Sequence, residues 1–225
     1  MNSIIKTVNL SKNFFTKKNL TILKKINIEI KNGSLVALLG PSGSGKSTFL
    51  HLIALLDQPS SGYILFDGIK TSEIKDDEKD KIRRNKISII YQQNNLLSDF
   101  TSLENVMIAM IASGKNKRDS KLSSEKILNK VGLSKRLDHY PSDLSVGEQQ
   151  RVAIARAVVT DPHLILADEP TGSLDQITSE EIFKLFLKFK SLNRTIVYAT
   201  HNRELADRAD YKLKIIDGNI RRSND

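Results

Sequence analysis

"SLVALLGPSGSGKSTFLHLI", Ser34 to Ile53, joins three patterns that decide the fold. Ser34 to Gly40 is almost continuously apolar, as a strand buried on both faces of a parallel or mixed sheet must be. Phe49, Leu50, Leu52 and Ile53 then recur at helical spacing. Between strand and helix, "GPSGSGKST" matches G-x-x-x-x-G-K-[ST] through Gly40, Gly45, Lys46 and Ser47. With no side chains at Gly43 and Gly45, backbone N–H groups can curl around phosphate oxygens, and the helix N-terminus adds its partial positive charge. Gly40, Pro41, Ser42, Gly43, Ser44, Gly45, Lys46, Ser47 and Thr48 are therefore assigned to a nucleotide's phosphate chain. Lys46 bridges its terminal phosphates and Ser47 offers an oxygen to magnesium.

Around this stretch the chain has 225 residues, 39% of them hydrophobic, which suits one well-cored unit with or without a subdomain. It has no cysteine, so disulfides, thiolate metal sites and cysteine nucleophiles are excluded, and a reducing compartment is expected. The four histidines, His51, His139, His163 and His201, lack metal-ligand spacing. Apolar stretches such as Val106 to Ala112 fall far short of the roughly 20 residues of a membrane-spanning helix. "MNSIIKTVNL" lacks the basic, apolar and cleavable regions of a secretory leader, so it reads as the start of a strand, and a cytoplasmic location is expected. The net charge of +9 is compatible with nucleic acid, an anionic membrane or nucleotide phosphates and does not choose among them. Much of the excess is lysine spread along the chain (Lys17, Lys18, Lys24, Lys25, Lys115, Lys117), as on a solvated surface.

"ILKKINIEI", Ile22 to Ile30, puts Ile26, Ile28 and Ile30 on one face at period two and predicts a half-buried antiparallel strand, with Ile4 to Leu10 as its partner. "YILF", Tyr63 to Phe66, ends in a turn at Asp67 and Gly68, and the charged run "SEIKDDEKDKIRRNK" predicts an exposed helix before the strand "ISIIYQ". From Leu96 to Ser142 the spacing is helical in "SLENVMIAMIA" and "SSEKILNKVGL", separated by the polar break "SGKNKRDS". A helical subdomain over about 93–142 is thus expected, inserted into a core formed by 1–92 and 143–225. Buried strands return at "LILADE" and "TIVYATH", each near a helical stretch, which is the pattern of parallel β/α architecture.

The strand "LILADEP", Leu164 to Pro170, ends in two acids at the carboxyl edge, where parallel sheets place their ligands. Asp168 is the expected magnesium-side carboxylate, and Glu169, one residue further, suits activation of an attacking water. His201 closes "TIVYATH" at the same edge, in reach of a γ-phosphate or that water. Gln92 follows "ISIIY" in the same way, its amide directed to magnesium or water, with Gln93 as the alternative. "LSVGEQQRVAIARA", Leu144 to Ala157, opens a further helix, in which Ser145 and Glu148 have capping-box spacing. Such boxes also begin helices that bind nothing. Gly147, which a simple helix start does not need, adds a second reading, a backbone that a ligand can approach closely.

With "GPSGSGKST", the glutamine after "ISIIY", "LSVGEQQR", "LILADEP", "GSLD" and "ATH" in this order, nearly the whole chain resembles the ATP-binding subunits of ABC transporters. The resemblance implies an α/β fold: a P-loop NTPase core with a mixed or parallel sheet, an N-terminal antiparallel β subdomain and an inserted helical subdomain. It implies ATP and magnesium as ligands and a second copy of the chain as partner. "LSVGE" matches the family's signature motif, so Ser145 and Gly147 would contact the γ-phosphate of ATP held by the other copy. Asp175 of "GSLD" would lie at the subunit interface, and Phe14 matches the aromatic that stacks on adenine, with Phe15 its unresolved neighbour. The family usually has glycine where this chain has Val146, and often glutamine where it has Glu148. Glu148 keeps the capping box; Val146 is tolerable only as an ordinary helical residue, since a left-handed conformation would strain it.

"YQQNNLLSDFTSLENV" and "HLIALLDQPSSGYILFDG" look most like the branch serving lipoprotein release, macrolide and peptide export and cell division, with "LLSDFTSLENV" nearest the lipoprotein-releasing members. That likeness implies integral membrane permease subunits of the LolC/LolE kind, docking near Gln92 to Asn105, and a peripheral place on the cytoplasmic face of the inner membrane. Contact with the membrane would be indirect and no nucleic acid is expected. A regulator of cell-wall enzymes in the cell-division manner, and a soluble ATPase acting on nucleic acid or the ribosome, stand as alternatives. The latter generally carries two ATPase domains or a long coiled-coil insertion, and neither is present here.

Overall fold

The computed structural model describes residues 3–15, 19–190 and 192–223. Along the chain run β1 (Ser3–Phe15), β2 (Asn19–Ile26), β3 (Glu29–Lys31), β4 (Leu35–Leu39), α1 (Lys46–Ile53), β5 (Ser61–Phe66), β6 (Ile69–Lys70), α2 (Asp76–Lys86), β7 (Ile87–Ile90), α3 (Ser102–Ala112) and α4 (Lys117–Lys130). A 3-10 turn at Pro141–Asp143 precedes α5 (Val146–Val158), β8 (Leu164–Asp168), α6 (Gln176–Lys190), β9 (Thr195–Ala199), α7 (Arg203–Ala206), β10 (Tyr211–Ile216) and β11 (Asn219–Ser223).

Among the described residues, one sheet has the order β11-β10-β4-β9-β8-β7, parallel except for β11. Its central strands are apolar throughout because both faces are covered. Alternate side chains go to opposite sides. Leu35, Ala37, Ile165, Ala167, Ile196 and Tyr198 pack with α3 to α6 through Val106, Leu128, Ile154, Phe183 and Phe186. Val36, Leu38, Leu164, Leu166, Val197 and Ala199 pack with α1 through Phe49, Leu50 and Ile53, and with Ile5, Leu10, Leu23 and Phe66 of the second sheet. That second sheet is antiparallel, with β1 pairing to β2, β3 and β5, and β5 to β6. The ladder fixes where the loops emerge: Asp168 stands beside Ala199, Ala199 beside Leu38, and Ile90 beside Ala167. β7, β8, β9 and β4 therefore finish almost level, at one edge.

Three expectations are revised. The strand expected over Ile22 to Ile30 is two strands, β2 and β3, because Lys25 takes φ +48° and the chain crosses at Asn27 and Ile28. There the Thr7 hydroxyl accepts from the Ile28 N–H at 3.1 Å, and Asn27 binds Asn9 and the Lys25 carbonyl. The "SGKNKRDS" segment is not wholly a break, since Asn116 accepts from the Asp119 N–H and starts α4 at Lys117. The β10–β11 hairpin was not anticipated, although Tyr211, Leu213 and Ile215 alternate as buried residues and Asp217 and Gly218 supply the left-handed turn. α5 packs against both α3 and α4, so these helices share their core with the large sheet.

Gly62 marks where β5 crosses the irregular part of β1: its φ is +75°, and an added Cβ would collide with the backbone of Val8 and Asn9. Backbone atoms cannot rotate away. Gly62→Ala is expected to cost more than about 2 kcal/mol in urea unfolding, from the conformation and the overlap together.

Candidate functional site

At the level edge of the parallel strands lies a cleft of about 480 Å3 lined by Phe14, Ile22, Ser42, Gly43, Gly45, Lys46, Ser47, Thr48, Gln92, Asp168 and Glu169. Gly43 and Gly45 have φ of +75° and +101°, values that call for glycine. Gly45 is also the cap residue of α1 and offers no side-chain cap, which leaves the first N–H groups of the helix available to an anion. A Cβ there would come within 2.8 Å of Ile22, so β2 backs the loop. Lys46 is buried, and its ammonium donates to the carbonyls of Gly40 (3.0 Å) and Pro41 (3.2 Å), 3.7 Å from Glu169 Oε1.

Gly40, Pro41 and Ser44 do not line the cleft; they shape the loop from behind. A Cβ on Gly40 would meet Ser44 Oγ at 2.6 Å and the Ile215 carbonyl at 2.8 Å. Ser44 Oγ is buried with no partner among the described residues. A left-handed glycine cradle, a buried ammonium and this unpartnered hydroxyl fit a phosphate chain. Ser47, Asp168 and the Gln92 amide are oxygen donors on the same cleft, and suit a hard cation that takes its remaining ligands from phosphate and water. Among the described residues no three His, Cys, Asp or Glu side chains gather as a metal cluster.

Glu169 itself sits at φ +48°, rare for a side chain of its size, while its N–H donates to the Ala199 carbonyl at 3.1 Å. Backbone strain of this kind persists where the surroundings over-determine it. His201 Nδ1 lies 3.2 Å from Glu169 Oε2, with 68% of the His201 side chain exposed. His201 borders a neighbouring cavity of about 460 Å3 instead of the phosphate cleft, and Glu169 lines both. Gln92 lines the phosphate cleft and Gln93 does not. Gly172 stands close to these groups: a Cβ on it would lie 3.3 Å from the Glu169 carbonyl oxygen and 3.4 Å from both Gln92 Nε2 and Glu169 Oε2, near ordinary contact. Phe14 is exposed in the cleft, with Lys12 Nζ 5.1 Å from its ring centroid and tied at 2.7 Å to Asp57. The side chain of Phe15 lies outside the described residues.

The segment after Gln92 is clasped from two helices. Arg156 of α5 donates to the carbonyls of Asn94 (2.8 Å) and Asn95 (2.9 Å). Asn105 of α3 accepts the Leu97 N–H at 2.9 Å and donates to the carbonyls of Leu97, Phe100 and Thr101.

A separate cleft of about 510 Å3 holds Ser145, Val146, Gly147 and Glu148 together with Asp175 and Thr178. It shares no lining residue with the phosphate cleft. The capping box is made: Ser145 Oγ accepts the Glu148 N–H at 3.2 Å and Glu148 Oε2 accepts the Ser145 N–H at 2.9 Å. The Arg136 guanidinium, 2.8 Å from Glu148 Oε1, and the Ser145 N–H hold the Glu148 carboxyl below the usual carboxylate range. Asp175 caps α6, accepting from the Thr178 N–H (3.0 Å) and hydroxyl (2.6 Å), and these bonds lower its pKa too. Gly147 has no left-handed φ, and a Cβ on it would stand 2.6 Å from Thr178 Cγ2. Its bareness thus has an intramolecular reason that the sequence did not reveal.

The family model of ABC transporters matches residues 23–172. The chain belongs to the ABC transporter family. The lipoprotein-releasing system ATP-binding protein LolD of Rickettsia bellii is 46% identical over 217 residues, 95% of this chain and 96% of its own. LolD of Colwellia psychrerythraea is 42% identical over 230 residues, 100% of this chain and 88% of its own. A solved dimeric, post-hydrolysis state of the ATP-binding cassette MJ0796, bound to ADP and Pi, matches with a TM-score of 0.90 and 38% identity over 97% of both chains. This ABC subunit is accordingly a nucleotide-binding ATPase with the α/β cassette fold.

Val146 is the first residue of α5, has an ordinary φ and is 51% exposed, so the position asks nothing that only glycine provides. Val146→Gly is expected to leave steady-state ATPase within a few-fold, and a large change in rate in either direction would contradict this.

Proposed function

We propose that this ABC subunit powers a lipoprotein-releasing complex, two copies closing over two Mg·ATP beneath a membrane permease. The observation that carries the split site is that the phosphate cleft and the Ser145–Gly147 cleft have no lining residue in common, which supports a reading in which each serves a nucleotide together with a second copy. The 42–46% identity to LolD proteins along nearly the full chain supports the choice of lipoprotein release.

In this mechanism the loop backbone and Lys46 hold the phosphate chain, the ammonium exchanging the Gly40 and Pro41 carbonyls for phosphate oxygens. Ser47, Asp168 and Gln92 would hold magnesium, which would supply positive charge beside the phosphates. Phe14 offers its ring to adenine. Glu169 takes a proton from the attacking water, and His201 orients that carboxylate from the neighbouring cavity. Ser145 and the Gly147 backbone, at the N-terminus of α5, meet the γ-phosphate held by the second copy, with Asp175 beside that copy's phosphate loop.

The permease, of the LolC/LolE kind, docks on the segment between Gln92 and Asn105, where Leu97 and Phe100 are 43% and 39% exposed. Among the described residues no helix is long and apolar enough to cross a membrane, which agrees with a peripheral subunit at the cytoplasmic face of the inner membrane that reaches the bilayer only through its partner.

Glu169→Gln should lower turnover by about 100- to 10,000-fold while retaining ATP. With Mg·ATP the variant should form a stable dimer by size exclusion, and affinity isolation from membranes should bring down a permease. In reconstituted vesicles the wild-type complex should release lipoprotein on ATP addition. A variant that stays monomeric with Mg·ATP and brings down no membrane protein would overturn the proposal.

A further inference from the structure

Two observations at the second cleft do not follow from nucleotide binding. Val146 places a β-branched residue at the first helical position, and Gly147 beside it has an ordinary φ, so the backbone of this helix start does not need glycine. What glycine provides at 147 is space, and Thr178 occupies it: an alanine Cβ would lie 2.6 Å from Thr178 Cγ2, against 3.8 Å from its Cβ and its hydroxyl.

The threonine methyl cannot swing aside cheaply. Its hydroxyl donates to Asp175 Oδ2 at 2.6 Å, and its N–H to Asp175 Oδ1 at 3.0 Å, so the rotamer is set by the cap of α6. Turning the methyl away from position 147 moves the hydroxyl off Asp175. About one turn further along both helices, Arg151 of α5 pairs with Glu181 of α6. The starts of α5 and α6 are therefore keyed at two successive rungs, one steric and one ionic.

We infer that Thr178 is a positioning residue of the second cleft, and that Gly147 is bare in order to clear its methyl group. Thr178 sets how far the N–H groups at the start of α5 stand from Asp175 at the start of α6. It acts through Gly147 and Asp175 and touches no nucleotide. The inference rests on the proposal that this cleft receives the terminal phosphate of a nucleotide held by a second copy.

A double-mutant cycle with Gly147→Ala and Thr178→Ser tests it, because serine keeps the hydroxyl bond to Asp175 and removes only the methyl. In the wild-type background Gly147→Ala should lower ATPase by at least about 10-fold, and in the Thr178→Ser background the loss should be smaller by at least about 3-fold. The loss should fall on kcat, with nucleotide affinity of the monomer preserved, since the phosphate cleft is untouched. If Gly147→Ala alone does not fold, recovery of a folded, active chain in the double variant reads the same coupling. An equal loss in both backgrounds, or no loss in either, would overturn the role of Thr178. The Mg·ATP-dependent dimer of Glu169→Gln, with Gly147 and Thr178 intact, reads the split site separately. A dimer alongside an additive cycle removes only the positioning role, whereas the absence of that dimer removes the split site itself.

Discussion

The parallel ladder of β7, β8, β9 and β4 is the constraint on which the site depends. Asp168, Ala199 and Leu38 stand side by side in it, so the residues that follow are delivered to one edge in near register. Gln92, Glu169, His201 and the loop from Gly40 come from segments distant in sequence, and no interaction among their side chains is needed to gather them. Burial on both faces fixes the strands, and hydrogen bonding fixes their register. The chemistry is placed before any ligand arrives, as positioning-dominated phosphoryl transfer requires.

Glycine serves different ends around this edge. At Gly45 the backbone takes a conformation that a side chain resists, and β2 presses close behind it. Gly40 gives space to the Ser44 hydroxyl and the Ile215 carbonyl, and Gly147 gives it to a threonine methyl. The first kind of demand follows from a motif alone. The second depends on neighbours brought in by the fold.

That difference also explains what the sequence disclosed. The positions of the phosphate loop, the two acids at the end of β8, Gln92 and His201 are legible because each ends or continues a buried strand, and a strand pattern states where its next residue emerges. The capping box of α5 was legible because it is local, three residues from Ser145 to Glu148. Thr178, Ile22 and the Arg156 clasp were not, since each matters through a partner far along the chain. The turn of β2 into β3 escaped for a similar reason: Ile26, Ile28 and Ile30 alternate, but the hydroxyl of Thr7 accepts the Ile28 N–H and interrupts the ladder. β10 carries the alternation of a half-buried strand, whereas β11 has only Ile220 buried and is legible mainly through the Asp217–Gly218 turn before it.

α5 has the Ser145 cap at one end and Arg156, gripping the Asn94 and Asn95 carbonyls, near the other. Those ends are separated by about 16 Å of helix, at 1.5 Å per residue. A helix resists compression far better than a loop does, so α5 works as a strut. It spans from the second cleft to the loop that carries Leu97 and Phe100, and contributes no lining residue to the phosphate cleft on the way.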